Sequence, residues 1–154
     1  MTSLCCDVLK ALSGKTLATA ESCTGGLIGG RLTAVAGSSA VYKGGIICYT
    51  NEIKHALLEV PTELLERDGA VSASVAKAMA DGAKKVLNAD VAVSVTGLAG
   101  PGGDEFGNPV GTVYIGYSDG NTSLARHFLF DGDRSQVRSQ AAAAALKLIL
   151  EFQI

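Results

Sequence analysis

Residues 89–97, ADVAVSVTG, put valine at 91, 93 and 95 with small residues between them, so an extended chain here has no charged face to offer water. Such a strand belongs in the buried interior of a sheet that is covered on both sides. A sheet of that kind needs a layer of helices on each face, and the rest of the chain supplies them. Leu4, Val8, Leu9, Ala11 and Leu12 form a short amphipathic helix ending at Gly14. KTLATA (15–20) is a short strand, and residues 24–35 are a helix with Leu27, Ile28, Leu32 and Val35 on one face. AGSS (36–39) breaks that helix, and VYKGGIICYT (41–50) is a long strand whose Gly44 and Gly45 permit a bulge or a close neighbour. Asn51 is predicted to cap the next helix, which runs through Leu58 and stops before Pro61. TELLERDG (62–69) makes another helical turn. Ser72 starts a helix over 72–87 in which Gly82 costs about 1 kcal/mol relative to alanine. GTVYIGYS (111–118) and SLARHFLF (123–130) alternate as an antiparallel hairpin around DGNT, and an Ala/Leu-rich helix closes the chain behind an Asp133 cap. The expected architecture is α/β: one domain over residues 1–154, three layers α/β/α, with a mixed sheet of about five strands built from β–α crossovers and one hairpin.

Composition narrows what such a domain does. A chain of 154 residues with 47% apolar content can bury a core without staples. Its net charge of −2, with no block of Lys and Arg, excludes the basic face that binding along a nucleic acid requires, while leaving small anions as partners. The start, MTSLCCDVLKALSG, lacks a basic and then apolar leader, and no later run reaches membrane-spanning length, so a cytoplasmic protein with no membrane partner is expected. The four cysteines, Cys5, Cys6, Cys23 and Cys48, form no CxxC pair, which argues for reduced thiols and against a metal site.

In sheets of this type ligands sit beyond the carboxyl ends of strands, and three such ends carry chemistry. The first reads ATAESCTGG. Two readings are open: Ser22 or Thr24 caps a helix, or Ser22 is a nucleophile beside N–H groups from Cys23 to Gly26 that stabilise an oxyanion. The second end reads CYTNEIK. Tyr49 and Asn51 share a face of an extended segment, and Lys54 falls in the first turn of the helix behind an Asn51 cap, where the helix dipole disfavours an ammonium. Burial there pushes a lysine toward its neutral form, able to take the Ser22 proton, with Tyr49 relaying a proton to a leaving amine. A solvated lysine and a packed tyrosine are the plainer reading. Cys23 is a rival nucleophile, although neither His55 nor His127 is placed by the sequence to pair with it. The third end, Thr96 and Gly97 followed by the loop through Gly100 to Gly103, either exposes backbone N–H groups to an anion or is an ordinary surface loop. Arg134 and Arg138 lie one turn apart on the last helix, suited to gripping a phosphate or carboxylate, or simply exposed helix charges.

AESCTGG, AGSS, the Tyr49-x-Asn51-x-x-Lys54 spacing, GAVS, TGLAGPGG, PVGTVY and GDRxxVRxQ occur in this order across nearly the whole chain. Together they resemble the CinA carboxy-terminal domain family, which includes the nicotinamide-nucleotide amidases, in the stand-alone form without the molybdopterin-binding-like partner module. The resemblance implies hydrolysis of nicotinamide mononucleotide to nicotinic acid mononucleotide and ammonia, with no metal or other cofactor. It further implies Ser22 as nucleophile, Lys54 as base and Tyr49 as a proton-transfer or orienting group. Cys23, Thr24, Gly25, Gly26, Asn51, Thr96, Gly97, Gly100, Arg134 and Arg138 are the expected substrate-site residues. A small-molecule nucleotide is the expected partner and a homo-oligomer the expected assembly; the alternative is a non-catalytic nucleotide-binding or regulatory module of the same fold.

Overall fold

The computed structural model describes residues 2–153. In chain order its elements are α1 (Thr2–Ala11), β1 (Leu17–Glu21), α2 (Leu27–Thr33), a 3-10 turn (Ser38–Ala40), β2 (Tyr42–Ile47), α3 (Asn51–Leu58), α4 (Thr62–Asp68), α5 (Ala73–Val86), β3 (Val91–Gly97), β4 (Thr112–Ser118), β5 (Ser123–Leu129) and α6 (Arg134–Gln153). The strands form one mixed sheet in the order β2-β1-β3-β4-β5. β1 pairs parallel with β2 and β3, while β3, β4 and β5 run antiparallel in turn. The chain steps from β1 outward to β2 and then back across β1 to β3. Crossovers of one hand taken in opposite directions put their helices on opposite faces, which yields three layers.

Alternation along the strands assigns each face its neighbours. Leu17, Val91, Val93, Val95, Val113 and Ile115 pack beneath α1, α2 and α6. Ala18, Ala20 and Ala92 face α3, α4 and α5. The second face is lined by small residues because α5 lies close to it: Ser94 Oγ donates to Ala76 O at 2.6 Å and accepts from Gly116 N at 3.2 Å. Any side chain at Gly116 would run into that same Ala76 carbonyl.

Gly82 has a similar explanation. The sequence suggests a helix weakened at this position, but in the folded protein the space a Cβ would fill is taken by the backbone carbonyl of Leu58, where α3 ends. Close approach of two backbones is what the missing side chain permits. Gly82→Ala gains about 1 kcal/mol of helix propensity yet is expected to lose about 2 kcal/mol or more net, because backbone rather than a movable side chain must shift. Urea unfolding of the two proteins checks the sign.

Several boundaries differ from the sequence reading. β2 ends at Ile47, so residues 48–50 are a loop and Tyr49 and Asn51 do not share a strand. Thr50, not Asn51, caps α3, its Oγ1 accepting from Ile53 N at 3.4 Å. Both residues are good caps, and the extended backbone at Thr50 decides between them. α2 begins at Leu27, because residues 23–26 are turns with positive φ at Gly25 and Gly26. Ser72 caps α5 as expected. Asp133 caps α6 in a reciprocal box, accepting from Gln136 N and donating its own N–H to Gln136 Oε1, each at 2.8 Å.

Candidate active site

Neither Ser22 nor Thr24 caps α2. Glu21 does so, from the last position of β1: its carboxylate accepts from Ile28 N at 2.8 Å and Gly29 N at 3.0 Å. It also accepts from Thr24 Oγ1 at 2.8 Å and from Thr19 Oγ1 at 3.4 Å. Glu21 is 2% exposed, so these donors and the positive end of α2 stand in for water around its charge. A carboxylate ending an otherwise uncharged strand just before a glycine-rich turn was the available signal for this cap.

With Glu21 gripping the start of α2, Ser22 is left just past the end of β1. Its N–H donates to Val95 O on β3 at 3.0 Å, and Cys48 N beyond β2 donates to Glu21 O at 2.9 Å, so both neighbouring strands fix the turn. From the loop after β2, α3 swings Lys54 inward. Lys54 is 1% exposed, and Nζ donates to Ser22 Oγ at 3.1 Å and to Tyr49 O at 3.3 Å. Burial holds its pKa below the ordinary 10.5, against the opposing pull of the Cys48 and Cys23 thiols. A neutral amine suits both contacts, because it still donates to the Tyr49 carbonyl while its lone pair accepts the Ser22 hydroxyl proton.

The pair opens onto a cleft of about 320 Å³ at the carboxyl ends of β1 and β3, the point where strand order reverses. Asn51, Thr96, Gly97, Gly100 and Arg134 all border it, together with Ala70 and Val71, which the sequence reading did not single out. Thr96 Oγ1 explains their presence: it donates to Ala70 O at 2.8 Å and so ties the α4–α5 connection to the end of β3. The Thr96 hydroxyl is therefore spent on the protein's own backbone. Arg134 is exposed at the start of α6, donating to Gly100 O at 2.7 Å and to Tyr49 Oη at 3.2 Å. It has no carboxylate partner among the described residues.

Other expected residues lie elsewhere or act differently. The Tyr49 side chain borders the cleft, but it is 58% exposed and its hydroxyl bonds to Arg134, making no hydrogen bond with Ser22 or Lys54; the residue meets Lys54 through its carbonyl. Thr24, Gly25, Gly26 and Arg138 do not border the cleft. Thr24 is buried on Glu21. Gly25 N–H is used inside the turn, donating to Ser22 O at 3.1 Å. Arg138 reaches behind the turn, Nε donating to Cys23 O at 2.9 Å and Nη2 to Thr24 O at 3.0 Å, so its fork is already filled. Cys23 does border the cleft, but burial pushes its thiol up to about 11, which leaves it protonated and a poor nucleophile at neutral pH.

Among the described residues no helix is long and apolar enough to cross a membrane, and no group of His, Cys, Asp and Glu side chains is arranged to hold a metal ion. A family model described as the CinA C-terminal domain matches residues 2–153. A CinA-like protein of Geobacter sp. (strain M21) is 49% identical over 140 residues, covering 91% of this chain and 34% of that protein. The chain thus spans about a third of the length of the curated relatives it matches. Among solved structures, the competence damage-inducible protein A of Klebsiella pneumoniae superposes with a TM-score of 0.95 at 35% identity, over 98% of this chain and 95% of that one. The competence/damage inducible protein CihA of Agrobacterium tumefaciens gives 0.93 at 40% identity, over 97% and 93%.

Proposed function

The chain belongs to the CinA C-terminal domain family, and from that premise we propose that it is an amidohydrolase converting nicotinamide mononucleotide to nicotinic acid mononucleotide and ammonia through a Ser-Lys acyl-enzyme. One observation carries the reading: a fully buried lysine amine lies 3.1 Å from a serine hydroxyl in a cleft whose rim holds an arginine with no carboxylate partner among the described residues. Neutral Lys54 takes the proton of Ser22 as Oγ attacks the carboxamide carbon. The oxyanion faces the N–H of Cys23, and the ammonium of Lys54 returns the proton to the departing ammonia. Water then adds to the ester, giving a proton to Lys54, which passes it to Ser22 Oγ as the ester C–O bond breaks, and the acid so released loses its carboxyl proton to solvent. Arg134 and the N-terminus of α3 supply positive potential for the phosphate at the mouth of the cleft. We place the protein in the cytoplasm, where its four free cysteines stay reduced, and expect it to work as a homo-oligomer.

Ammonia release from nicotinamide mononucleotide, with free nicotinamide beside it, tests the reading. The nucleotide is expected to turn over and the free base to lag by at least 100-fold in kcat/KM, since phosphate binding energy is available to the nucleotide alone. Cys23→Ala should stay within a few-fold of the parent protein and Ser22→Ala should be inactive. Saturable binding without any ammonia would instead identify a nucleotide-binding module.

A further inference from the structure

Arg134 and Arg138 are one turn apart on α6 yet do different things. Arg134 meets Gly100 and Tyr49 at the cleft, whereas Arg138 grips the two carbonyls that follow the nucleophile. Those carbonyls lead by peptide geometry back to the reaction centre. In a trans peptide the C=O and the next N–H point in opposite directions. Arg138 Nη2 holds Thr24 O, which sets the direction of Gly25 N–H. Gly25 N–H donates to Ser22 O at 3.1 Å, which in turn sets the direction of Cys23 N–H. Among the described residues Cys23 N–H makes no hydrogen bond to another residue, and Cys23 borders the cleft beside Ser22. Of the N–H groups in this turn, Gly25's is occupied and neither Thr24 nor Gly26 borders the cleft, which leaves Cys23 as the residue beside Ser22 able to offer a donor to the oxyanion.

On the amidase reading above, we propose that Arg138 is a positioning residue that aims the oxyanion donor at Cys23 through the Thr24–Gly25 and Ser22–Cys23 peptide planes, which the Gly25–Ser22 hydrogen bond joins, and so governs kcat rather than substrate affinity. Its side chain is half-buried and spans from α6 to the turn over more than 100 residues of sequence, a separation of 115 from Cys23. Two guanidinium nitrogens on two adjacent carbonyls fix both position and rotation of the turn, which a single donor does not. Gly25 takes φ +59, a left-handed conformation that glycine adopts without strain, and so lets the chain turn between Ser22 and the carbonyl that Arg138 Nη2 holds.

Steady-state ammonia release by wild type, Arg138→Met, Arg138→Lys and Arg134→Met separates these roles. Arg138→Met is expected to lower kcat by about 100-fold with KM within about three-fold, the size of effect seen when an oxyanion donor is lost or misaimed. Arg138→Lys, which can satisfy one carbonyl, should recover about ten-fold of that loss. Arg134→Met should instead raise KM. The rate at which a fluorophosphonate modifies Ser22, followed by intact mass, should fall at least ten-fold in Arg138→Met, with circular dichroism showing the variant folded at the assay temperature. Unchanged kcat and unchanged Ser22 modification in Arg138→Met overturn the proposal, as does a loss that only tracks the unfolded fraction or falls equally on KM. Wild-type protein that neither releases ammonia nor reacts with the fluorophosphonate overturns the amidase reading itself, and the positioning role with it.

Discussion

Exchange of Lys54 for methionine is expected to lower kcat/KM for nicotinamide mononucleotide by about 10⁴-fold or more while making the protein more stable at neutral pH. Both effects arise from burial. The amine is held where water cannot solvate its charge, and its folded-state pKa therefore lies below the ordinary 10.5 of an unfolded chain. Between those two values the unfolded state binds more proton than the folded state, so wild-type stability rises as pH climbs through that window. Below it the full cost of burying the amine is present, and above about pH 10.5 none of it remains. Methionine fills similar volume with no charge to desolvate. The variant should be more stable by about 1–4 kcal/mol at pH 7, the range found when buried charged groups give way to apolar ones, and the gap should close as pH approaches 10.5. Urea unfolding across pH 6 to 10.5 measures it. A Lys54→Met protein equal in stability to wild type at every pH would mean that the buried amine imposes no strain, and a fully active one would remove it from the chemistry.

Loss of Glu21 is expected to do the reverse, costing stability first and activity as a consequence. Its carboxylate is the acceptor for two backbone N–H groups of α2 and for the hydroxyls of Thr24 and Thr19, all in a site closed to water. Glu21→Ala leaves Ile28 N, Gly29 N and the Thr24 hydroxyl buried without partners, at about 1–3 kcal/mol for each, while the Thr19 hydroxyl keeps Tyr42 Oη at 2.8 Å, so a total loss of about 3 kcal/mol or more is expected in urea unfolding. Glu21→Gln retains the shape but turns an NH₂ toward donors, and should lose about half as much. Because Glu21 adjoins Ser22, the Gln variant should also show slower ammonia release under conditions where it remains folded. Alanine tolerated without loss would show that water reaches the start of α2 after all.

The sequence marks Ser22 before two glycines and Lys54 in the first turn of a helix as candidates while leaving a helix cap and a solvated lysine as the plainer readings, and the 3.1 Å contact between them comes from the fold. The neighbouring cap assignment differs for want of backbone geometry. Thr50 and Asn51 are equally suited to cap a helix, and only the extended φ and ψ at Thr50 chose between them. The sequence reads Tyr49 as a proton-transfer or orienting group, and once β2 ends at Ile47 the loop presents its carbonyl to Lys54 and its ring to the rim of the cleft.

Local sterics and solvent chemistry act over a few residues, so the amino-acid order alone placed the helices and strands to within a few residues, the three layers, the Asp133 and Ser72 caps, and Ser22 and Thr96 at the carboxyl ends of strands. What a side chain is bonded to depends on partners far along the chain, and those only folding supplies. Arg134 and Arg138 look alike in sequence, but α6 delivers one to the cleft and the other to carbonyls 115 and 114 residues away. Glu21 became a helix cap, Gly82 a seat for the Leu58 carbonyl and Lys54 a desolvated amine for the same reason: each role is defined by what the tertiary packing brings against it and by the water it removes.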